Sequence, residues 1–205
     1  MSLFAVVPVK DLWGTKSRLK PVLTPPARAG LTIYMMGRVV AALREAGVER
    51  ICVVSPDRIV LSEARERGAE PLLQMSRGLN PALEEGRRWV VESGASSLLV
   101  LPADLPLIEA DDVQTLLGEP GDRDLVVISP DGARAGTNAL LLTPPDVLPF
   151  AFGSGSYETH LASARERGLD VRVRQTPHLA FDLDTVDDLA RMDGMGLEGT
   201  EWTSA

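Results

Sequence analysis

The residues best suited to chemistry stand where short apolar runs end. The first run, Leu3-Phe4-Ala5-Val6-Val7-Pro8-Val9, gives way to a loop carrying Lys10, Lys16, Arg18 and Lys20, with Gly14 and Ser17 between them. In a chain of formal net charge -8, this local concentration of cations predicts a site for a phosphorylated small molecule, because open α/β sheets bind ligands beyond the carboxyl ends of their strands. The competing reading is a solvated loop with ordinary surface lysines. A second run ends in Leu101-Pro102-Ala103-Asp104-Leu105-Pro106, where prolines on both sides of an acid fix its backbone. Asp104 at that point suits a Mg²⁺ ligand, since Mg²⁺ takes a few carboxylates together with phosphate oxygens and water. The alternative is a helix cap, for which Asp111 and Asp112 are better placed. In Phe181-Asp182-Leu183-Asp184-Thr185, alternate side chains of an extended segment share a face. Asp182 and Asp184 then point the same way and call for a cation or a proton between them. Thr185 with Asp187 and Asp188 also reads as a helix start, which competes for part of this cluster.

Three weaker patterns accompany these acids. Gly136-Thr137-Asn138 precedes an apolar run, and Phe152-Gly153-Ser154-Gly155-Ser156 precedes a helical segment. Glycines followed by a hydroxyl residue can offer backbone N–H groups and a helix dipole to a phosphate or carboxylate, or serve simply as a hinge with a serine cap. His160, one turn into that segment, can face the same ligand. Gly78-Leu79-Asn80-Pro81 opens another helix, with Asn80 either the N-cap ahead of Pro81 or a contact to a purine base. With only His160 and His178 in the chain, a zinc cluster or a hydrolytic triad has no material. Neither the P-loop spacing nor a G-x-G-x-x-G after the first strand is present.

The elements that must position these residues alternate along the chain. Strands are predicted over Leu3–Val9, Arg50–Val54, Glu70–Leu73, Ser97–Leu101, Asp124–Ile128, Ala139–Leu142 and Val171–Arg174. Helices are predicted over Ala27–Ala46, Ile59–Arg67, Pro81–Ser93, Ala110–Leu117 and Ser156–Arg167, each stopped by a glycine at or just beyond its end. In the longest helix Leu31, Met35, Val39 and Leu43 recur every four residues and form one buried stripe. Such alternation implies an α/β fold, with a mainly parallel central sheet covered by helices on both faces. We expect a single domain over residues 1–192, followed by a frayed tail over 193–205.

Composition narrows the function. The 205 residues, 44% hydrophobic and 24% charged, suit one domain with a sizeable core. The acidic balance argues against a nucleic-acid partner. The single cysteine, Cys52, sits in the apolar run Ile51-Cys52-Val53-Val54 and reads as a buried small hydrophobe. No apolar run reaches the ~18 residues of a membrane span, and the first run lacks the flanks of a signal peptide. The chain thus reads as a cytoplasmic protein without a membrane partner; association with a second copy stays open.

These pieces, in order, resemble the guanylyltransferases of the deazaflavin coenzyme pathway, the 2-phospho-L-lactate and phosphoenolpyruvate guanylyltransferase family. The matching segments are Val7-Pro8-Val9-Lys10 with Lys16-Ser17-Arg18-Leu19, Gly78-Leu79-Asn80, Leu101 to Pro106, Gly136 to Leu140, Phe152-Gly153 with Ser156 and His160, and Asp182-Leu183-Asp184-Thr185. They span about residues 4 to 190. The resemblance implies a single-domain nucleotidyltransferase fold of the nucleotide-diphospho-sugar transferase type. The reaction it implies is transfer of GMP from GTP to phosphoenolpyruvate or 2-phospho-L-lactate, with release of pyrophosphate. It matches Thr137, Gly153 and Ser156 to the positions that bind the phosphorylated acid, and Asp104, Asp182 and Asp184 to the Mg²⁺-binding carboxylates. Lys10, Lys16 and Arg18 are then expected to neutralise the triphosphate and the leaving pyrophosphate, with Asn80 at the guanine. One departure is Gly37-Arg38, where such proteins often carry an acid. Two rivals are another nucleotidyltransferase, of molybdenum-cofactor or sugar-phosphate type, and a regulatory nucleotide-binding domain without turnover. Which phosphorylated acid is the acceptor is not legible, because such acids differ by little more than a methyl or a hydroxyl.

Overall fold

A computed structural model describes residues 2–118 and 124–194. Seven strands, β1 (Leu3–Pro8), β2 (Arg50–Ser55), β3 (Glu70–Leu73), β4 (Ser97–Val100), β5 (Leu125–Pro130), β6 (Thr137–Thr143) and β7 (Asp170–Val173), form one sheet in the order β3-β2-β1-β4-β6-β5-β7. The helices are α1 (Pro25–Glu45), α2 (Arg58–Glu66), α3 (Leu79–Glu92), α4 (Ala110–Leu117), α5 (Ser156–Glu166) and α6 (Val186–Gly194). Side chains alternate across each strand, so Ala5 and Val7 of β1 join one core layer with α1, α2 and α4, while Phe4 and Val6 join the other with α3 and α5. The stripe Leu31, Met35, Val39 and Leu43 is fully buried, as its spacing predicts. Cys52 is likewise buried in the core, and that burial pushes its thiol up to about 12, which leaves it inert. No helix among the described residues is long and apolar enough to cross a membrane. The tail expected over 193–205 lies outside the described residues from 195 onward.

The expectation of a mainly parallel sheet holds with one exception that matters. β6 runs antiparallel to both β4 and β5, pairing Leu98 with Leu142 and Ile128 with Leu140. The cause is local. Between β5 and β6 the chain has only six residues, 131–136, far too few for a parallel crossover. The Asp131 carboxylate closes this hairpin by accepting from Ala135 N and Gly136 N, each at 2.8 Å. Reversal brings the start of β6, Thr137 and Asn138, to the sheet edge where β1, β4 and β5 end.

A third apolar cluster lies outside the two sheet layers. Leu19, Leu31, Met35, Leu107, Leu183, Leu189 and Met192 pack together. Leu19 and Leu183 are fully buried in it, each burial being worth roughly 2 kcal/mol. Leu19 anchors the basic loop and Leu183 anchors the acidic segment. The cluster therefore holds oppositely charged segments against one another.

Candidate active site

Order along the sheet places β2 on one side of β1 and β4 on the other, so the chain changes winding direction between β1 and β4. A cleft of about 630 Å³ opens there, beyond the carboxyl ends of both strands. This is the usual ligand position in open α/β sheets, and its size suits a nucleotide. Lys10 and Lys16 line it from the loop after β1, Asp104 from the loop after β4, Asp184 from the C-terminal segment, and residues 74–79 from the loop after β3 and the first residue of α3.

Lys16 is the centre of the charge arrangement. Its Nζ lies 2.8 Å from Asp184 Oδ1 and 3.4 Å from Asp104 Oδ2. The Lys16 side chain is only 8% exposed, against 31% for Asp104 and 43% for Asp184. Burial disfavours the ammonium, but the Asp104 and Asp184 carboxylates outweigh it and the pKa is raised. Lys16 adopts a left-handed backbone at φ 46°, directly before a 3₁₀ turn over Ser17–Leu19. The loop is tied down by Thr15 and Thr32 hydroxyls 2.9 Å apart and by buried Arg28, whose Nε donates to Thr15 O at 3.3 Å. Arg18 approaches Asp184 to 3.8 Å yet stays 72% exposed, and Lys10 is exposed at the cleft wall. Lys16 is thus inside the cluster, whereas Lys10 and Arg18 stand at its rim.

Main-chain contacts set the carboxylates. Leu183 N donates to Asp104 O at 3.0 Å, so the acidic segment is pinned to the end of β4. Asp182 accepts from Asn138 Nδ2 at 3.3 Å, and the same amide donates to Leu179 O at 3.0 Å. Burial and then the neighbouring Asp104 and Asp184 charges raise the pKa of Asp182, although the Asn138 bond works the other way. The helix start expected at Thr185 is present as a reciprocal cap, with Thr185 Oγ1 accepting from Asp188 N at 3.2 Å and the Asp188 carboxylate accepting from Thr185 N at 2.8 Å, which leaves the Asp184 carboxylate to the cleft. Among the described residues, no three His, Cys, Asp or Glu side chains, the expected Asp104, Asp182 and Asp184 included, are grouped so that together they could hold a metal ion; Asp104 and Asp184 alone meet, at Lys16. The donor set nevertheless fits Mg²⁺, being carboxylate oxygens around a spot that already holds a cationic group, with room for substrate oxygens and water.

The second set of expected residues lies beside the cleft rather than in its wall. The Thr137 Oγ1 hydroxyl is 3.0 Å from His160 Nδ1 and accepts from Ser156 Oγ at 3.1 Å. Ser156 N donates to Gly153 O at 3.1 Å, and Gly153 has φ +132°, a conformation that L side chains rarely adopt. The three residues Thr137, Gly153 and Ser156 therefore form one hydrogen-bonded polar cluster, with Thr137 and Ser156 buried. Asn138, the next residue along β6, bonds Asp182 at 3.3 Å. His160 is fully buried, and burial lowers its pKa to about 4. Instead of facing a ligand itself, the ring stands behind Thr137, with both nitrogens engaged by protein atoms.

Asn80 departs from both expected roles. Gly78 occupies the N-cap position of α3. The Asn80 amide pairs with the main chain of Phe152: Oδ1 accepts from Phe152 N at 2.8 Å and Nδ2 donates to Phe152 O at 3.0 Å. Its hydrogen bonds therefore serve the 151–153 segment, not a base in the cleft. The residue missed in this region is Glu85, whose carboxylate accepts from Met75 N at 2.9 Å and Ser76 N at 2.7 Å and shapes the cleft wall. An acid lodged among the buried positions Ala82, Leu83, Gly86 and Val90 of α3 was the available signal.

The sheet order with its cleft at the winding switch is the nucleotide-diphospho-sugar transferase-like fold. The fold agrees with a nucleotidyl transferase from Methanothermobacter thermautotroptrophicus, at TM-score 0.70 and 16% identity over 96% of this chain and 98% of that one. A Desulfovibrio desulfuricans protein described as a nucleotide-diphospho-sugar transferase is similar at TM-score 0.76 and 18% identity, over 98% and 90% of the two chains. A family model described as "Guanylyl transferase CofC like" matches residues 3–203, and the chain belongs to that family. A phosphoenolpyruvate guanylyltransferase of Rubrobacter xylanophilus is 60% identical over 196 residues, covering 96% of each chain. One from Sphaerobacter thermophilus is 43% identical over 195 residues, 95% of this chain and 94% of its own.

Proposed function

We propose that the protein transfers the guanylyl group of GTP to the phosphate of phosphoenolpyruvate, with 2-phospho-L-lactate the related acceptor. A phosphate oxygen of the acid forms a bond to the α-phosphorus of GTP as the bond to the β-phosphate breaks, and pyrophosphate leaves. The observation that carries this reading is the continuity of the site. Asn138, the strand neighbour of Thr137, bonds Asp182 beside Asp104, while Lys16 links Asp104 and Asp184 at the wall of the nucleotide-sized cleft.

In this reading the guanine and ribose occupy the cleft along residues 74–79, and the acid lies against the Thr137–Gly153–Ser156 cluster. Asp104 and Asp184, with Asp182 behind them, would hold Mg²⁺, which supplies neutralisation of charge on the phosphate oxygens. Lys16 is buried, so its ammonium meets transferring phosphate in a region of reduced solvent screening, where a fixed charge stabilises the transition state most. Lys10 and Arg18, more exposed, steer and neutralise the outgoing pyrophosphate. The acceptor phosphate is already an anionic nucleophile, so no general base is needed. Positioning of two anions is the main task.

The test is direct. Purified protein is incubated with GTP, Mg²⁺ and phosphoenolpyruvate, 2-phospho-L-lactate or 3-phosphoglycerate separately, and pyrophosphate and guanylated acid are measured. Pyrophosphate release that depends on both GTP and phosphoenolpyruvate is expected. Binding of GTP without product from any acid would overturn the reading in favour of a regulatory domain. Preference for a sugar phosphate would overturn the acceptor class.

A further inference from the structure

Beside the cleft, Ala151, His160, Thr137 and Ser156 form a hydrogen-bond chain whose direction follows from counting protons. Ala151 N–H donates to His160 Nε2 at 3.0 Å. A backbone amide is a donor only, so Nε2 must present its lone pair. The ring is fully buried with the Phe152 ring edge-on at 5.0 Å, and burial favours the neutral form. A neutral imidazole with a bare Nε2 carries its hydrogen on Nδ1. Nδ1–H therefore donates to Thr137 Oγ1, 3.0 Å away. Ser156 Oγ donates to the same oxygen. With both lone pairs of Thr137 occupied, its own hydroxyl hydrogen has no acceptor within the triad. If the Thr137–Ser156 bond reverses, the spare hydrogen passes to Ser156 in the same cluster. Were the ring in the other tautomer, Thr137 would donate to Nδ1 and no hydrogen would be left over.

We infer that His160 is a positioning residue that keeps one hydroxyl hydrogen of the Thr137–Ser156 pair aimed outward, as a donor to an anionic oxygen of the acceptor acid. This deepens the proposed function and rests on its assignment of the Thr137 cluster to the acid. His160 acts without touching substrate. It converts two hydroxyls, which could satisfy one another and the ring, into a pair with an obligatory donor. A donor that is already oriented loses less freedom on binding an anion than a free rotor does.

Two substitutions separate this role from simple packing. His160→Asn places an amide donor near the Nδ1 position and keeps the contact to Thr137. His160→Gln reaches the Nε2 position and keeps the contact to Ala151. We expect His160→Gln to raise the acceptor KM roughly 10-fold, the scale of one hydrogen bond to a charged group, with the GTP KM unchanged. His160→Asn should stay within about 3-fold of the native acceptor KM on the same scale. Equal effects of the two variants, or an acceptor KM and GTP KM that rise together, would overturn the inference. The unsubstituted protein gives an independent check. Imidazole ¹⁵N shifts should show His160 as the neutral Nδ1–H tautomer at neutral pH, and an Nε2–H tautomer would overturn it without any variant having to fold. Thr137→Val tests the underlying cluster assignment by itself. It should raise the acceptor KM, and an unchanged value would remove that assignment and this inference with it, whereas a raised value with His160→Gln silent removes only the inference.

Discussion

Replacing Lys16 by methionine tests the charge arrangement most directly, because methionine keeps the bulk of the side chain and deletes its charge. At an effective dielectric of about 20, a unit charge is worth roughly 6 kcal/mol to a partner at 2.8 Å and roughly 5 kcal/mol at 3.4 Å. Most of this is offset by desolvating a side chain that is 8% exposed, and solvent reaches both Asp104 and Asp184. A net loss of about 1–3 kcal/mol is therefore expected, or roughly 3–10 °C in Tm for a chain of this size. The pKa of Lys16 is raised in the fold, so its contribution is complete below the unfolded value of 10.5 and is lost only as pH rises through the higher folded value. The Tm difference between native and Lys16→Met protein should hence be flat at neutral and mildly alkaline pH. In the variant the carboxylates have lost their internal cation, so millimolar Mg²⁺ should raise its Tm by more than it raises that of the native protein. Scanning calorimetry with and without Mg²⁺ reads both effects, and kcat/KM for GTP should fall roughly 100-fold. An unchanged Tm would mean that the Lys16 contacts contribute nothing. A Mg²⁺ response equal in the two proteins would refute a shared cation position.

Three further outcomes are expected. Asp104→Asn should fold normally by circular dichroism yet lose at least about 100-fold of transferase activity in Mg²⁺; full activity would displace Asp104 from the centre. Asn80→Ala removes two neutral hydrogen bonds to Phe152, and because that segment is partly exposed we expect about 1–2 kcal/mol. Steady-state kinetics should show it as a roughly 10-fold rise in acceptor KM with the GTP KM constant, whereas a GTP-specific loss would return Asn80 to the guanine. His160 has its pKa lowered from 6.5 to about 4, so its neutral form contributes stability above pH 6.5 that is lost as pH falls toward 4. Denaturant titration should find that the native protein loses roughly 2–3 kcal/mol more than His160→Asn across that window; parallel pH profiles would contradict the buried neutral ring.

The sequence by itself determined the elements and singled out the candidate residues for chemistry. Alternating apolar runs and fourfold-spaced stripes depend on local periodicity, so all seven strands and the helix carrying Leu31, Met35, Val39 and Leu43 were legible. Asp104 was legible because prolines bracket it, and Asp182 with Asp184 because Leu183 alternates between them. Tertiary structure decided which of these meet. The six-residue hairpin that reverses β6 brings Thr137 and Asn138 to the edge where β4 ends; without that reversal they would lie at the opposite edge from Asp104. Burial of Leu19 against Leu183 brings Lys16 to Asp184, a contact across 168 positions of sequence. The jobs of Asn80 and His160 were equally beyond local reading. A polar side chain takes its role from the partner that burial presents, and the partners here, Phe152 and Ala151, are main-chain groups whose positions no side-chain pattern encodes.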